Sequence, residues 1–264
     1  MKNLTLVKLG GSLITDKKNE FVARPEIISR LGSEARNFAE GNPGQLVLAH
    51  GSGSFGHQAA HEFESHKGFF RGDSKHGYTV VQDVASRINR IVVDEFVGAG
   101  LNAVSIQPSA GVIADKGRIK IWDLTVFKRF LLEGFVPVPF GDIVLDKSMG
   151  CSIASADEQL FYLARELKAE RILMVGNVDG VFESFPPKKM ERPIEKLDRA
   201  RFKDLKASLD GAAGTDVTGG MLHKVERMLE AAEHGVDVRI INGMVEGRFE
   251  KALLGEEIPG TRIG

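Results

Sequence analysis

Strand-like and helix-like patterns of apolar residues alternate along the whole chain, and this alternation limits the possible fold more than any other feature. Short apolar runs predict strands at 4–9, 46–49 and 102–106 and in the stretches "FVPVPF", "DIVLD", "RILMVG" and "VRIIN". Apolar residues spaced three and four apart predict helices at 25–40, 78–98, 123–133, 155–168 and 219–235, with a last helix before "GTRI". This alternation indicates an α/β fold with a largely parallel central sheet covered by helices on both faces.

Two stretches interrupt the alternation. Residues 63–78 and 183–217 are polar and rich in glycine, proline and charge, so we expect loops there rather than linkers between independent domains. The segment "ADKGRIKIW" predicts a hairpin that turns at Lys116 and Gly117. We therefore expect one domain over 1–264.

Composition excludes several classes of function. The formal net charge of −1 gives no basic surface for nucleic acid or for an anionic membrane. The single cysteine, Cys151, excludes an intramolecular disulfide and a metal site of several thiolates. The apolar runs are too short for a membrane span, and the N-terminal run is too short for a signal peptide. We expect a cytoplasmic protein that acts on a small molecule.

A glycine-rich loop follows the second predicted strand, in "QLVLAHGSGSFGH". Gly51, Gly53 and Gly56 match G-x-G-x-x-G, the fingerprint of dinucleotide-binding folds. That fold needs the loop after its first strand and an acidic residue at the end of the next strand, about 20 residues on. Asp73 lies near this distance, but no apolar strand precedes it. The loop is therefore predicted to bind phosphate for another purpose, through backbone N–H groups and a helix N-terminus.

His57 directly follows the last glycine of this loop, where it could donate a hydrogen bond to a phosphate oxygen. The alternative is an ordinary surface histidine. His50, His61 and His66 are less well placed for such a contact. The spacing of these histidines shows no pair of helical ligands with a carboxylate, so it does not indicate a metal site.

Other glycine corners carry lysines. Lys8 lies inside the apolar strand that leads to Gly10, Gly11 and Ser12, and a buried lysine needs an anionic partner; the alternative is a solvated ammonium at the end of the strand. Lys224 follows a third corner, in "TGGMLHK". Asp157 lies in the first turn of a predicted helix, where it could merely stabilise the helix dipole. Glycine corners and lysines at strand ends suit a clamp for polyphosphate, although the P-loop and protein-kinase motifs are missing.

Taken together, these motifs resemble the amino acid kinase superfamily over essentially the whole chain. The matching segments are "VKLGGS", the glycine loop, "SADEQLFYLAREL", "VDGVF" and "TGGMLHK". Within the superfamily, "HGSGSFGH" and "FGDIVLD" resemble the isopentenyl phosphate kinases, in which a histidine stands at the position of His57. Ser52 departs slightly from that pattern. The resemblance implies an open αβα sandwich, usually a homodimer, with an acceptor-binding half at about 1–150 and an ATP-binding half at about 151–264.

The resemblance also implies a set of site residues. Lys8, Lys17, His57, Asp157 and Lys224 would be catalytic. The residues expected at ATP are Lys8, Gly10, Gly11, Ser12, Gly53, Asp179, Gly180, Gly219, Gly220 and Lys224. Those expected at the acceptor are Gly51, Ser52, His57, Gly141, Asp142, Ser155, Asp157, Tyr78, Val81 and Ile143. Mg²⁺ is expected on the ATP phosphates, with no protein ligand assigned.

The activity implied is ATP-dependent phosphorylation of isopentenyl phosphate to isopentenyl diphosphate. A kinase of the same fold that acts on another small phosphate or phosphonate, such as fosfomycin, is an alternative, as is a non-catalytic nucleotide-binding protein. An isoprenoid acceptor needs an apolar slot, and Phe70, Tyr78, Val81 and Ile143 are candidates to line it. Ordinary core packing of these side chains is nearly as good an explanation.

Overall fold

The computed structural model describes residues 3–16, 19–184, 191–210 and 216–264, except for the side chains of His57, 207–210 and 216–223. The strands in these segments are β1 (Thr5–Leu9), β2 (Leu46–His50), β3 (Ala103–Ile106), β4 (Val112–Asp115), β5 (Arg118–Trp122), β6 (Val136–Pro139), β7 (Asp142–Asp146), β8 (Gly150–Ala154), β9 (Arg171–Gly176), β10 (Lys196–Leu197), β11 (Asp237–Asn242) and β12 (Thr261–Ile263).

The helices in the same segments are α1 (Gly11–Ile14), α2 (Pro25–Gly41), α3 (Gly53–Glu62), α4 (Ser74–Gly98), α5 (Thr125–Leu132), α6 (Ala156–Leu167), α7 (Arg199–Asp210), α8 (Asp216–Glu233) and α9 (Arg248–Leu253). Short 3₁₀ helices cover Ser65–Lys67 and Pro108–Ala110. None of the described helices is long and apolar enough to cross a membrane.

The central sheet has the strand order β10-β12-β11-β9-β1-β2. β1 pairs in parallel with both β2 and β9, and β9 pairs in parallel with β11. A parallel bridge between His50 and Phe140 links β2 to the β3-β6 pair. The predicted largely parallel sheet is confirmed, with β12 antiparallel to β11.

Alternation of side chains along β1 divides the core into two layers. Leu4 and Leu6 face the layer formed with α6 and α8, whereas Val7 and Leu9 face the layer formed with α2, α4 and α9. Lys8 shares the parity of Leu4 and Leu6, so its side chain points to the α6 side. The period of two in this strand therefore decides which helix Lys8 meets.

A second, smaller sheet has the order β5-β4-β7-β8 and mixes parallel and antiparallel pairs. The predicted hairpin between β4 and β5 is confirmed, with Lys116 and Gly117 at its turn and both at positive φ. The Asp146 carboxylate accepts hydrogen bonds from the backbone N–H groups of Lys116 and Gly117 at 3.1 and 2.8 Å. This carboxylate fixes the hairpin tip against β7.

Two predictions about loops were wrong. The segment 63–78 contains a 3₁₀ helix, and α4 begins at Ser74 rather than at residue 78. The segment 183–217 contains α7, which buries Phe202 and Leu205 against the core. Those two side chains are too few to produce a clear apolar stripe in a largely charged sequence. β8 also escaped prediction, because its small residues resemble a loop.

Candidate active site

A buried ion pair joins the end of β1 to the start of α6. Lys8 Nζ lies 2.8 Å from Asp157 Oδ1 and 2.9 Å from Oδ2, and Lys8 is only 6% exposed. Ser155 caps α6, because its hydroxyl oxygen accepts a hydrogen bond from Glu158 N at 3.2 Å. The cap places Asp157 in the first helical turn, beneath Lys8. The anionic partner expected for Lys8 is therefore Asp157, and the ammonium is not a solvated strand end.

Two predicted glycine corners are in direct contact. A Cβ on Gly11 would lie 2.5 Å from Gly53 Cα. Gly53 has φ of +54°, and a Cβ there would lie 2.2 Å from Thr15 Oγ1. The Thr15 hydroxyl in turn donates to Gly11 O and accepts from Ser54 N, at 2.8 and 3.1 Å. Only glycines allow the two backbones to approach this closely.

The corner that starts α1 also carries Gly10 and Ser12. Gly10 donates its N–H to Val175 O at 2.8 Å, which fixes the corner against β9. The glycine loop is tied to the same strand end, since Gly51 N donates to Leu9 O at 3.1 Å. Both corners therefore lie at the carboxyl ends of parallel strands, where α/β sheets place their ligands.

Next to the ion pair lies a cleft of about 570 Å³. It brings Asp157 and Ser155 together with Lys224 from α8, as the resemblance implies. The remaining residues that line it are Gly117, Arg118, Ile153, Glu158, Glu226, Arg227 and Glu230. The wall of the cleft carries four carboxylates and three cationic side chains, so its charge alone does not select an anionic ligand.

Sequence reasoning missed the ion-pair network at the rim of this cleft. Glu158 Oε2 lies 3.0 Å from Arg227 Nη2 and 3.5 Å from Arg118 Nη1, and Oε1 accepts from Ile119 N at 3.2 Å. Burial raises the pKa of Glu158, and the nearby arginine charge acts in the opposite direction. The network joins α6, α8 and the β4-β5 hairpin. Its members are distant in the chain, so no local pattern could reveal it.

Gly141 and Asp142 differ in what they offer to a ligand. The Asp142 carboxylate accepts hydrogen bonds from Ser109 N and Ile143 N, both at 2.9 Å. Burial raises the pKa of Asp142 to about 6, although the hydrogen bonds from Ser109 and Ile143 lower it in part. Gly141 instead borders the glycine loop, because a Cβ there would lie 3.6 Å from Ser52 N and 3.8 Å from Ala156 N. Gly141 thus stands between two backbone nitrogens.

The candidate slot residues share a small apolar cluster. Val81 and Ile143 are buried together with Ala59, Val84 and Cys151, and Tyr78 packs against this cluster. Phe70 does not belong to this cluster: it is 45% exposed, and Lys67 Nζ and the Arg71 guanidinium lie over its ring. The cluster follows the glycine loop, but its burial fits core packing as well as a slot wall.

The other predicted positions are spread over the C-terminal half or lie outside the described residues. Asp179 pairs with Arg248 and accepts from Asn242 Nδ2 at 3.2 Å, beyond the end of β9 next to Gly180. Gly219 and Gly220 lie within α8. Lys17 and the side chain of His57 lie outside the described residues. Within those residues, no cluster of three or more histidine, cysteine or acidic side chains could hold a metal ion.

Comparison with known proteins places this geometry in a family. A sequence model of the amino acid kinase family matches residues 3–242. Isopentenyl phosphate kinase of Methanothermobacter thermautotrophicus is 39% identical over 98% of both chains. The enzyme of the same name from Methanocaldococcus jannaschii is 35% identical, again over 98% of both.

A crystal structure of an isopentenyl phosphate kinase agrees with these relatives. It superimposes with a TM-score of 0.84 at 34% identity, covering 99% of this chain and 100% of the other. The expected α/β fold is confirmed by this similarity. The chain therefore belongs to the amino acid kinase family and, within it, to the isopentenyl phosphate kinase group.

Proposed function

We propose that this chain transfers the γ-phosphoryl group of ATP to isopentenyl phosphate, giving isopentenyl diphosphate for isoprenoid synthesis by the alternate mevalonate pathway. The observation that carries the proposal is the buried Lys8–Asp157 pair beside the touching glycine corners. The names of the relatives supply the identity of the acceptor.

In this proposal the C-terminal half, about 151–264, takes ATP. Gly11 and Ser12 would offer backbone N–H groups at a strand end, and Gly53 adds the facing corner. The N–H of Gly10 already donates to Val175 O, so Gly10 would border the phosphates without donating to them. Four further residues are assigned to ATP because they lie in the C-terminal half: Asp179, Gly180, Gly219 and Gly220. Lys8 and Lys224 would bracket the transferring phosphoryl group, with Lys17 supporting it.

The pairing of Lys8 with Asp157 suits phosphoryl transfer. This reaction needs positioning and charge stabilisation rather than covalent help from the protein. Asp157 holds the lysine ammonium in one place through both of its oxygens. An ammonium fixed in advance stabilises charge on the phosphoryl oxygens without rearranging during the reaction.

The acceptor is itself a phosphate, so its oxygen attacks without a general base. The two reacting anions repel each other by about 4 kcal/mol at 4 Å with an effective dielectric constant of about 20. Lysines and His57 would offset that repulsion. Gly51, Ser52, Gly141 and Ser155 would surround the acceptor phosphate, with the Ser52 N–H as a donor to it. The N–H groups of Gly51 and Gly141 already donate to Leu9 O and His50 O, so these two glycines would border the phosphate without donating to it.

Mg²⁺ is proposed as the partner of ATP, where it would neutralise phosphate charge. The described residues offer it no cluster of carboxylates, and Asp157 is engaged by Lys8. Phosphate oxygens and water are therefore its expected ligands, which suits the reluctance of Mg²⁺ to lose its waters.

We also propose a cytoplasmic homodimer with neither nucleic acid nor membrane as a partner. Val97, Val126 and Leu132 are 56%, 62% and 73% exposed, and burial between subunits would remove these apolar side chains from water. Sedimentation of the purified protein tests the proposal, because a monomer at micromolar concentration would contradict it.

The activity is tested by ADP release from Mg-ATP with isopentenyl phosphate, dimethylallyl phosphate, fosfomycin, UMP and carbamate as separate acceptors. We expect the highest kcat/KM for isopentenyl phosphate, with isopentenyl diphosphate identified by mass spectrometry. Lys8→Met serves as the control for a contaminating kinase and should be inactive.

Other outcomes of this screen favour the other functions. Preference for fosfomycin would support the kinase of a different small phosphonate. ATP binding without turnover of any acceptor would support the non-catalytic protein and overturn the proposal.

A further inference from the structure

His50, the last residue of β2, is a buried titratable group that the proposed reaction does not use. It is 0% exposed, and its ring stacks on Phe140 with 5.9 Å between the ring centres. An imidazole without access to water needs a hydrogen-bond partner for each nitrogen. The residue directly precedes the acceptor loop, defined here as Gly51–Gly56.

Both nitrogens of His50 have partners. Nε2 lies 3.0 Å from Asn89 Nδ2, and Nδ1 lies 3.1 Å from Gly51 O. Asn89 Nδ2 also lies 3.4 Å from Val138 O, and the Ser105 hydroxyl donates to Asn89 Oδ1. A continuous chain of hydrogen bonds thus runs from β3 through α4 to the acceptor loop.

These contacts determine the tautomer of His50. A backbone carbonyl only accepts, so the Asn89 atom that faces Val138 O must be the NH₂ group. That group also donates to His50 Nε2, which must then be unprotonated. The proton lies on Nδ1, where the second carbonyl, Gly51 O, can accept it. Burial lowers the pKa of His50 to about 4, which keeps the ring neutral.

The hydrogen bond from Nδ1 also fixes the next peptide group. In a trans peptide the C=O of Gly51 and the N–H of Ser52 point in opposite directions. With Gly51 O held toward the His50 ring, the Ser52 N–H is directed away from that ring. Gly141 lies between Ser52 N and Ala156 N, the first N–H of α6: a Cβ on Gly141 would lie 3.6 Å from one and 3.8 Å from the other. Backbone N–H groups that border a gap left by a glycine can donate to an anion there.

We propose that His50 is a positioning residue: its Nδ1–H bond to Gly51 O orients the Ser52 N–H toward the acceptor phosphate. The inference rests on the proposed function for the identity of the acceptor. The tautomer and the direction of the peptide do not depend on it.

The tautomer is measured without substrate. Two-bond ¹H–¹⁵N correlation spectra of the protein labelled in histidine should show His50 protonated at Nδ1 and unprotonated at Nε2 at pH 7. The resonance is assigned by its loss in His50→Asn. A His50 protonated at Nε2, or at both nitrogens, would overturn the inference whatever the acceptor is.

Kinetics of two variants test the positioning role. His50→Asn places an amide nitrogen near the position of Nδ1 and can still donate to Gly51 O. His50→Gln places its amide near Nε2, so it keeps a partner for Asn89 and loses the bond to Gly51. We expect KM for the acceptor to rise at least about tenfold in His50→Gln and less than about threefold in His50→Asn. KM for ATP should stay near the parent value in both.

Thermal melting identifies variants that simply lose stability. Equal acceptor KM values in two folded variants, or a parallel rise of KM for ATP, would assign His50 to general packing and overturn the inference. If either variant does not fold, the tautomer of His50 measured in the parent protein decides whether the inference stands. A parent protein that is active only with another acceptor would contradict the proposed function alone, and the same comparison would then be made with that acceptor.

Discussion

Gly53 fills the space that a side chain on Gly11 would need: a Cβ on Gly11 would lie 2.5 Å from Gly53 Cα and 2.6 Å from its N. Gly11 belongs to the proposed ATP site, and Gly53 is proposed to contact ATP from within the acceptor loop. In that proposal their contact would set the distance between donor and acceptor. Backbone cannot move aside as a flexible side chain can, so any added atom must separate the two corners.

Gly11→Ala should therefore lower kcat at least about 100-fold, because a displacement of about 1 Å of the reacting groups costs that much. The control is Gly41→Ala at the end of α2, where no atom lies within 4 Å of the added Cβ. Steady-state kinetics with a melting curve test both variants. Near-normal kcat in a folded Gly11→Ala would show that the corners can separate without harm.

Lys8 and Asp157 should respond differently to substitution. Lys8→Ala removes the proposed stabilising charge but leaves Asp157 buried without its partner, so both kcat and stability should fall. Asp157→Asn keeps a polar partner for Lys8 and should reduce kcat with a smaller loss of stability. Lys224→Ala, at an exposed position, should lower kcat with little effect on the melting temperature.

Steady-state kinetics measure kcat, and urea unfolding measures the stability of each variant. We expect losses of about 100-fold or more in kcat for both lysine variants, comparable to removal of one electrostatic stabiliser. Full turnover in either variant would show that the substituted lysine has no catalytic role.

Local signals made much of this arrangement predictable. The apolar strand around Lys8 predicted an anionic partner for the lysine. The cap at Ser155 predicted the start of the helix that bears Asp157. Long-range relations were not predictable in this way. Glu158 meets Arg118 and Arg227 only because the hairpin and α8 fold back onto α6.

The same limit applies to the direction of single side chains. Phe70 looked suited to an apolar slot because it follows the acceptor loop closely, but its ring lies outside the buried cluster. Asp142 was predicted at the acceptor, and in the structure its carboxylate accepts a hydrogen bond from Ser109 N, a contact that no local pattern indicated. Proximity in sequence places a residue near a site without determining the direction of its side chain.

His57→Ala should impair use of the acceptor far more than binding of ATP, because only the acceptor phosphate would touch the imidazole. We expect a loss of about 100-fold or more in kcat/KM for isopentenyl phosphate, as for a charged hydrogen bond that also positions the substrate. Isothermal titration with ATP provides the control. Normal turnover of isopentenyl phosphate would remove the main reason for assigning the acceptor contact to His57.

Asp142 should produce a pH dependence of stability. Burial raises its pKa from 3.8 to about 6 in the folded state, so the native protein favours the protonated carboxyl. Its stabilising contribution is present below pH 3.8 and is lost as the pH rises through 6, by about 3 kcal/mol in total. Asp142→Asn does not ionise and should escape this loss.

Urea unfolding of the two proteins at pH 4.5 and 7.5 tests this difference. The free energy of unfolding of Asp142→Asn, relative to the parent, should increase by about 2 kcal/mol between these values. His50 makes the free energy of unfolding rise with pH, because its pKa is lowered to about 4. This contribution is the same in both proteins, so it cancels in the difference between them. A pH-independent difference would mean that Asp142 is ionised normally in the fold.

The apolar cluster beside the acceptor loop should control the length of the acceptor's tail. Val81 is buried and Tyr78 packs against the same cluster, so replacing both with alanine opens space next to the proposed isoprenoid. A ten-carbon monophosphate could then bury further CH₂ groups, each worth about 0.8 kcal/mol. The five-carbon acceptor should lose efficiency, because its tail no longer rests against a wall.

The measured quantity is the ratio of kcat/KM for geranyl phosphate to that for isopentenyl phosphate, in the parent and in the Tyr78→Ala/Val81→Ala variant. We expect the ratio to rise at least about tenfold, which corresponds to burial of about two CH₂ groups. Phe70→Ala is the matched control, because this aromatic residue lies close in sequence but outside the cluster, and its ratio should equal that of the parent. An unchanged ratio in a folded double variant would mean that Tyr78 and Val81 are core residues, with the tail bound by another part of the chain.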